Sequence, residues 1–316
     1  MQTNTADTTS GSGTVERPYG IAPPGYRLPD ATHLGRVRLQ VSDLERSLTY
    51  YGDVLGFRVL ERSGGRATLG AHGDDRPLLE LVERVGATPV PRRGRLGIYH
   101  FAILLPDRAA LGRFIGHLGR IGARAGMSDH FVSEAVYLQD PDNLGIEVYA
   151  DRPRSAWRHE GRQLAMATEP LDARSVAAAA AAGEPWAGMP PGTVIGHVHL
   201  HVGDIDEATA FYHAGLGLDK VVWSYPGALF LSAGGYHHHL GTNTWAAGAP
   251  PAGEGDARLL DWEIVVPRPD DVDAAARSLE SAGYAVARDG RASWTATDPW
   301  GTTLRLVAEG GQGEEA

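Results

Sequence analysis

The stretch Ile195-Gly196-His197-Val198-His199-Leu200-His201-Val202 alternates apolar residues with histidines, a pattern typical of a β-strand. A second stretch, Tyr236-His237-His238-His239-Leu240, follows the turn Ala233-Gly234-Gly235 and also predicts a strand. Six of the 13 histidines of the chain lie in these two segments. Clustered histidines are candidates for metal binding or acid–base chemistry. The remainder of the chain shows which of them have that role, and we expect His199 and His201 to be structural or on the surface.

Composition limits the class of protein. A chain of 316 residues with 42% hydrophobic residues can bury a large core, which we expect in two lobes. No apolar run approaches the roughly 20 residues that span a bilayer, and the N-terminal segment lacks the apolar core of a signal peptide, so we expect a cytoplasmic protein. The absence of cysteine excludes disulfides and thiolate ligands. A net charge of −10 without a basic patch argues against nucleic-acid binding and favours a small-molecule partner.

A strand–helix–three-strand unit occurs four times along the chain. The unit that contains Arg36 recurs 161 positions later at His197, and the unit that contains His100 recurs 161 positions later at Asp261. Internal repetition of this kind predicts an α+β fold of four tandem βαβββ modules that form paired, curved, mixed sheets. The four modules lie near residues 34–85, 97–150, 194–246 and 258–309.

These modules predict a domain organisation with two pairs of modules and a linker. Its parts are a disordered tail and lead-in (1–33), the first pair of modules (34–150), the linker (151–193), the second pair of modules (194–309) and a short tail (310–316). The alanine run at 177–182 predicts a helix in the linker. We expect the linker to be a surface spacer without a role in chemistry.

Equivalent positions of the modules differ in chemistry. Arg36 and Asp261 occupy the first-strand position of modules one and four, whereas modules two and three have His100 and His197 there. The last strand of module two adds Glu147. Two imidazoles and one carboxylate form the facial triad that occupies three positions of an octahedral ion and leaves the others open. Fe(II) suits this triad, because the open positions can hold a chelating substrate together with O₂, and Mn(II) fits the same ligands.

The outer modules carry opposite charges at the corresponding positions. Arg305 replaces the ligand glutamate, and it accompanies Arg36, Asp261 and Glu80. We expect these side chains to form ion pairs that fill a site that no longer binds metal.

Several motifs resemble those of a known family. They are Gly196–Leu200, Gly234–Trp245, Ser128–Leu138, Asp140–Asp142 with Glu147, and Asp151-Arg152-Pro153. Together, over about residues 20–309, they resemble the vicinal oxygen chelate superfamily and, within it, the catechol 2,3-dioxygenase branch of the type I extradiol ring-cleaving dioxygenases. This resemblance implies Fe(II) held by His197, His100 and Glu147, with a catechol-type substrate and O₂ as partners.

The resemblance also implies catalytic residues around the metal. It places an acid–base histidine after the glycine turn, which the His-His-x-Leu pattern assigns to His238. On a strand, His237 and His239 would share the opposite face, and they stay open as alternatives for this role. The family has a tyrosine ten residues before the ligand glutamate, here Tyr137, whose hydroxyl can bond a substrate oxygen. His130, on the preceding loop, is a further candidate.

One departure from the family pattern predicts an unusual pairing of modules. In the better-known two-domain extradiol enzymes the iron lies within one domain made of consecutive modules three and four. Here the ligands come from modules two and three, so we predict that these two face each other and that modules one and four form the inactive counterpart. If the modules pair one with two and three with four, His100 and His197 can share an ion only at a subunit interface, or the triad is wrong.

Two other functions of the superfamily stay open. A glyoxalase I-type lyase or isomerase uses four protein ligands around Zn or Ni, and the fourth is expected between His238 and Thr242, where no acid occurs. A binder of the bleomycin-resistance kind lacks the metal ligands that this chain has. The sequence leaves open the ring substituents of the substrate, the choice between Fe(II) and Mn(II), and whether the chain forms a homo-oligomer.

Overall fold

A computed structural model describes residues 19–180, 185–290 and 292–310. Module one consists of β1 (His33–Val41), α1 (Leu44–Thr49, continued by a π-helical segment Tyr50–Leu55), β2 (Arg58–Ser63), β3 (Arg66–Gly70) and β4 (Leu79–Glu83). Module two consists of β5 (Gly97–Leu104), α2 (Arg108–Ile121), β6 (Gly126–Asp129), β7 (Ser133–Gln139) and β8 (Gly145–Asp151). The linker contains a 3₁₀ turn (Arg154–Ala156), β9 (His159–Glu160), β10 (Gln163–Leu164), β11 (Glu169–Pro170) and α3 (Ala173–Ala179).

The second half repeats this order. Module three consists of β12 (Val194–His201), α4 (Ile205–Ala208, continued by a π-helical segment Thr209–Gly215), β13 (Asp219–Val222), β14 (Ala228–Ser232) and β15 (Leu240–Asn243). Module four consists of β16 (Arg258–Val266), α5 (Pro269–Ser281), β17 (Val286–Arg288), β18 (Ser293–Thr297) and β19 (Thr303–Ala308). The predicted α+β fold of four βαβββ modules is confirmed.

The sheets show how the modules pair. Modules two and three share a nine-stranded sheet with the order β11-β6-β7-β8-β5-β12-β15-β14-β13. Modules one and four share an eight-stranded sheet with the order β17-β18-β19-β16-β1-β4-β3-β2. In each sheet the two modules meet through their first strands, which run antiparallel. The predicted pairing of module two with module three is therefore confirmed, and one chain can bring its three ligands together.

One hydrophobic core extends through both sheets. It includes Leu39 and Trp262 from the eight-stranded sheet and Phe101 and Val198 from the nine-stranded sheet, all of them fully buried. The first strands supply these residues because every second side chain of such a strand turns to the same face. The opposite face of the same strands is then free to carry the polar residues of the site.

The charged positions of modules one and four form a buried network, as expected. Arg36 lies 3.0 Å from Glu80, and Arg38 lies 2.6 Å from Asp261 and 3.1 Å from Glu80. Glu80 and Asp261 are each 5% exposed, so the arginines compensate carboxylates that water does not reach.

Two details of this network differ from the expectation. Glu263, which was not anticipated, accepts a hydrogen bond from the backbone N–H of Arg36 at 2.9 Å and pairs with its guanidinium at 3.3 Å. Arg305 pairs with Asp289, at 3.0 Å, and is also a member of the network, because burial raises the pKa of Asp261 and of Glu263 and the charge of Arg305 opposes this rise. Arg38 and Glu263 stand two positions from Arg36 and Asp261 on the same strand faces, which is why they join the network.

The chain outside the modules is more ordered than expected. Ile21 forms an isolated bridge with Lys220, Leu28 is buried, and Arg27 forms a two-point ion pair with Asp219 at 2.6 and 2.7 Å. The expected disorder therefore does not extend to residues 19–33, while residues 1–18 and 311–316 lie outside the described residues. Within the described chain, no helix has the length and apolar character needed to cross a membrane.

The linker also differs from the expected spacer. Its helix is present as α3, although residues 181–182 of the alanine run lie outside the described residues. The strand β11 pairs with β6 at the edge of the nine-stranded sheet. The linker is thus part of the sheet that carries the candidate ligands.

Candidate active site

The three predicted metal ligands come from three adjacent strands. Glu147 lies on β8, His100 on β5 and His197 on β12, in the sheet order β8-β5-β12. Ala102 on β5 is paired with Glu147 of β8 on one side and with His197 of β12 on the other. His100 lies two positions before Ala102 on β5. Paired residues share a face of a sheet, as do residues two apart, so the register places all three ligands on one face.

Distances confirm that the three side chains converge. Oε2 of Glu147 lies 3.0 Å from Nε2 of His100 and 3.1 Å from Nε2 of His197. One ligand atom of each residue falls within 4.8 Å of the others, and the residues are 4%, 2% and 1% exposed for His100, Glu147 and His197. Between the ligands lies Ala102, whose small side chain leaves the space above the strands open.

The protonation states suit a metal. Burial raises the pKa of Glu147, but the neighbouring imidazoles of His197 and His100 outweigh this effect and hold the pKa well below its usual range. Burial lowers the pKa of His197 to about 4, against the opposing influence of Glu147. A carboxylate beside a neutral imidazole is the protonation state in which both residues bind cations.

The donor set itself fits a divalent transition metal. Nε2 of His100 is buried and, within the described chain, has no hydrogen-bond partner of good geometry, although it lies near Glu147. A buried polar atom without a partner is costly, and a metal ion that shares the three donors would remove this cost. Two imidazoles and one carboxylate on one side of the ion leave the other side open for small molecules.

A cavity of about 370 Å³ opens above this face. Among the described residues, its lining contains one carboxylate, Glu147, and no lysine or arginine. The lining residues are Tyr99, His100, Ser128, His130, Tyr137, Glu147, Met166, Ala167, Thr168, His199, Tyr225, Phe230, His238 and Trp245. The cavity therefore suits a flat, uncharged, partly apolar molecule.

Tyr137 and His130, both predicted site residues, form a hydrogen-bonded pair in the cavity. Nδ1 of His130 lies 2.6 Å from the carbonyl oxygen of Ala167, and Nε2 lies 2.6 Å from the hydroxyl of Tyr137. A carbonyl only accepts, so Nδ1 of His130 carries a proton, and in the tautomer that has no proton on Nε2 this atom accepts from the hydroxyl of Tyr137. Burial and the charge of Glu147 raise the pKa of Tyr137 well above its usual value, so the phenol keeps its proton.

His238 also lines the cavity, but not from a strand. Residues 236–239 form a loop, and β15 begins at Leu240, so the predicted strand at 236–239 is wrong. The glycine turn ends β14, and its Gly234 has a φ of +63°, which few other residues adopt without strain. Strand alternation therefore does not decide which of the three histidines faces the metal.

Hydrogen bonds distinguish the three histidines instead. Nε2 of His237 lies 2.8 Å from Oδ1 of Asp151, and Nδ1 of His237 lies 2.7 Å from Nδ1 of His238. The carboxylate only accepts, so Nε2 of His237 carries a proton, and in the tautomer that has no proton on Nδ1 this atom accepts from His238. His238 then carries its proton on Nδ1, and its Nε2 is left free as a base. His239 does not line the cavity, since its Nδ1 accepts from the backbone N–H of Ala233.

The electrostatic surroundings keep His238 neutral. Burial, followed by the nearby imidazoles of His197 and His237, lowers its pKa well below the usual value. Its ring centroid lies 4.0 Å from that of His197. A neutral imidazole beside the candidate metal ligands can accept a proton from a bound molecule.

The structure corrects the expectation for His199. Its ring is buried and lines the cavity, and Nδ2 of Asn243 lies 3.0 Å from its Nε2. Gly241 makes room for this ring, because a Cβ there would lie 2.8 Å from its Cγ. His201 lies outside the cavity and bonds the side-chain oxygen of Asn243 at 2.7 Å, which agrees with a structural role.

Several lining residues were missed in the sequence. Met166, Ala167 and Thr168 belong to the linker, which the sequence marks only by composition. Thr168 bonds the hydroxyl of Tyr225 in module three at 3.1 Å and so closes one side of the cavity. No sequence signal connects these segments, because their contact depends on how the linker returns to the sheet.

Fold and site together define a class of protein. The chain belongs to the glyoxalase/bleomycin resistance protein/dioxygenase superfamily, whose family model matches residues 33–148 and 194–306. The superfamily resemblance inferred from the motifs is thereby confirmed.

Individual relatives narrow the comparison. The chain is 46% identical over 260 residues to the catechol-2,3-dioxygenase of Bacillus subtilis (strain 168), a match that covers 81% of this chain and 90% of that protein. It is also 32% identical over 117 residues to the lactoylglutathione lyase of Neisseria meningitidis serogroup A. This match covers 34% of this chain and 83% of the lyase. The crystal structure of a putative dioxygenase from Bacillus subtilis superposes on this chain with a TM-score of 0.61 and a sequence identity of 15%. The superposition covers 90% of this chain and 86% of the other chain, and at this identity it supports the fold alone.

Proposed function

We propose that the protein is an Fe(II)-dependent extradiol dioxygenase that cleaves the ring of a catechol. The observation that carries this proposal is the convergence of His100, Glu147 and His197 on one face beneath a cavity whose described lining includes no lysine or arginine. The 46% identity to a catechol-2,3-dioxygenase over 81% of the chain supports the same activity.

The proposed reaction balances without a further reductant or oxidant. Catechol and O₂ combine, and the ring bond between one hydroxyl-bearing carbon and the adjacent C–H carbon breaks. The first carbon gains one oxygen atom and becomes a carboxylic acid, and the second gains the other and becomes an aldehyde. The acid loses its proton at neutral pH, so an uncharged substrate gives an anionic product.

His100, Glu147 and His197 would hold the metal, and Fe(II) is the proposed ion because a ring cleavage by O₂ needs a redox-active centre with open positions. When bound, Fe(II) would act as a Lewis acid toward the chelating diol and would mediate electron transfer from the aromatic ring to O₂. Mn(II) fits the same three donors and is the alternative metal. Glu147 supplies one negative charge, so the diol must lose one proton if it is to balance the charge of the dication.

His238 is the proposed acid–base group. With its proton on Nδ1 bonded to His237, its free Nε2 can take a hydroxyl proton from the bound diol and later return it. Tyr137 keeps its proton and is the proposed donor to a substrate oxygen; its single O–H, which Nε2 of His130 accepts in this structure, would turn to the substrate on binding. We assign His199 to the cavity wall beside the aromatic ring of the substrate. The ring centroid of His199 lies 5.2 Å from that of Tyr99.

The test is reconstitution of the metal-free protein with Fe(II) under anaerobic conditions, followed by catechol and air. We expect O₂ uptake and a yellow ring-fission product in equal amounts. A glyoxalase-type lyase would instead be active without O₂ and would prefer Zn or Ni. Absence of O₂ uptake with every catechol tested, in protein that carries one Fe(II) per chain, would contradict the proposal.

A further inference from the structure

An arginine-lined groove lies beside the active-site cavity. It has a volume of about 840 Å³, and its lining includes Arg92, Arg93 and Arg124 and, among the described residues, no aspartate or glutamate. Four residues line both the groove and the cavity, so the two spaces share a wall: Tyr99, His100, Tyr137 and Trp245. The groove is therefore adjacent to the cavity that holds the candidate metal ligands.

The three arginines reach the groove from two separate segments. Arg92 and Arg93 lie on the loop that precedes β5, and Arg124 lies between α2 and β6. Both segments belong to or adjoin module two, the module that supplies two of the three candidate metal ligands. The opposite wall comes from module three, where His201, Trp245 and Ala246 line the groove.

The loop that carries Arg92 and Arg93 is fixed at both ends. The backbone N–H of Val90 donates to the carbonyl of Asp142 at 2.9 Å, and the side chain of Asn143 donates to the carbonyl of Val90 at 2.9 Å. At the other end Arg95 pairs with Asp256 at 3.1 Å. The two arginines are therefore held at the rim of the groove by a tethered loop.

The charge of the groove is not neutralised from within the protein. Arg95, on the same loop, has an acidic partner, whereas Arg92, Arg93 and Arg124 are exposed and form no ion pair with any part of the chain that the structure describes. The whole chain has a net charge of −10, so three unpaired cations around one groove form a local positive field that attracts anions.

The cavity and the groove differ in charge. The described residues that line the cavity include no lysine or arginine, which suits an uncharged catechol. The proposed reaction turns this substrate into a carboxylate in the same place, beside the ionised Glu147. An anion produced there is poorly matched to the cavity and well matched to guanidinium groups, which bind carboxylates through two parallel hydrogen bonds.

We propose that the groove is a binding site for the carboxylate of the ring-cleaved product, through which the product leaves the metal site. This assignment rests on the proposed function. A catechol that carries its own carboxylate has the same recognition chemistry and is the alternative ligand. The structure favours the product, because the arginines line the groove while the cavity that would hold the ring has none.

The test compares two triple variants of equal net charge in the Fe(II)-loaded protein. The groove variant is Arg92→Gln with Arg93→Gln and Arg124→Gln. The control variant changes three exposed arginines elsewhere, Arg84→Gln, Arg120→Gln and Arg174→Gln. Surface substitutions of this kind usually change stability little, so both variants should fold.

Two readouts decide the outcome. Inhibition of catechol turnover by added ring-cleaved product should weaken about 5-fold or more in the groove variant and less than about 2-fold in the control, and the difference should shrink at high ionic strength. Calorimetric titration with cis,cis-muconate, an unsaturated six-carbon dicarboxylate, should show the same loss of affinity without turnover. Equal product inhibition and equal muconate binding in both variants would overturn the proposal.

Two further outcomes separate related ideas. If the groove variant loses kcat/KM for 3,4-dihydroxybenzoate but keeps normal product inhibition, the arginines serve a carboxylated substrate and the product assignment is wrong. If the wild-type protein cleaves no catechol, the proposed function fails. The muconate titration still decides whether the groove binds such anions, so the two failures are distinguishable.

Discussion

Replacement of His237 by phenylalanine tests how the proton of His238 is positioned. His237 is fully buried. Its Nδ1 accepts a hydrogen bond from Nδ1–H of His238 at 2.7 Å, and its Nε2–H donates a hydrogen bond to Oδ1 of Asp151 at 2.8 Å. Phenylalanine fills the same space without the acceptor. His238 then loses the bond that holds its proton on Nδ1, and its Nε2 is no longer reserved as the base.

The size of the effect follows from this one bond. Loss of a hydrogen bond that leaves a buried donor unsatisfied costs about 1–3 kcal/mol. At about 1.4 kcal/mol per factor of ten, kcat should fall about 5- to 150-fold. KM for catechol should change little, because His237 does not line the cavity. Asp151→Asn should lower kcat less, since an amide can still accept from Nε2 of His237.

The assay is O₂ uptake with catechol, expressed per bound Fe(II). His239→Phe is the matched control, because His239 is buried next to the same loop but bonds the backbone of Ala233. We expect the control to keep the wild-type kcat per iron. If His237→Phe also keeps the wild-type kcat per iron, the Asp151–His237 chain does not position His238 and our reasoning about its tautomer is refuted.

Three further substitutions test other parts of the account. Glu147→Gln removes the only carboxylate among the candidate ligands, so Fe(II) affinity should fall by at least about 100-fold, and metal analysis after dialysis checks this. His238→Phe should leave iron bound but lower kcat by about 10²- to 10⁴-fold, whereas unchanged turnover would remove His238 from the mechanism. Arg38→Met removes the closest cation of Asp261 and one of the two arginines beside Glu80, which keeps Arg36 at 3.0 Å, and should destabilise the fold by up to about 3 kcal/mol near pH 8 in urea denaturation. Burial already raises the pKa of folded Asp261 against the opposing effect of Arg38, and without Arg38 this pKa rises further. The loss of stability should therefore vanish at a pH below the folded pKa of the wild type, where Asp261 is protonated in both proteins, and grow as the pH rises above it. A loss that is equally large at pH 4 would contradict this explanation.

The ligand triad could be predicted from the sequence because it depends on local periodicity. The 161-residue repeat aligns strands of equal length, and strand alternation then decides which face each residue occupies. The candidate ligands His100 and His197 follow from this repeat, whereas Glu147 was placed by its last-strand position, whose counterpart Arg305 lies 158 residues later, and by the resemblance to the family. The same logic predicted that charged residues such as Arg36 and Asp261 fill the counterpart site of the other sheet.

Other parts of the site depend on contacts that no local pattern encodes. The three histidines at 237–239 look like a strand, but the two glycines before them lengthen the turn, and the segment becomes a loop held by Asp151. The linker looks like a spacer, yet the carbonyl of Ala167 fixes the ring of His130. In both cases the decisive partner comes from a different module or from the linker, and its position follows only from the assembled sheet.

Convergence of ligands from modules two and three of one chain on a single iron is the central claim. The most direct measurement is anomalous diffraction at the iron edge from crystals of the Fe(II)-reconstituted protein. We predict one strong peak per chain, within bonding distance of Nε2 of His100, Nε2 of His197 and a carboxylate oxygen of Glu147. A peak elsewhere, or one shared between two chains, would contradict the account.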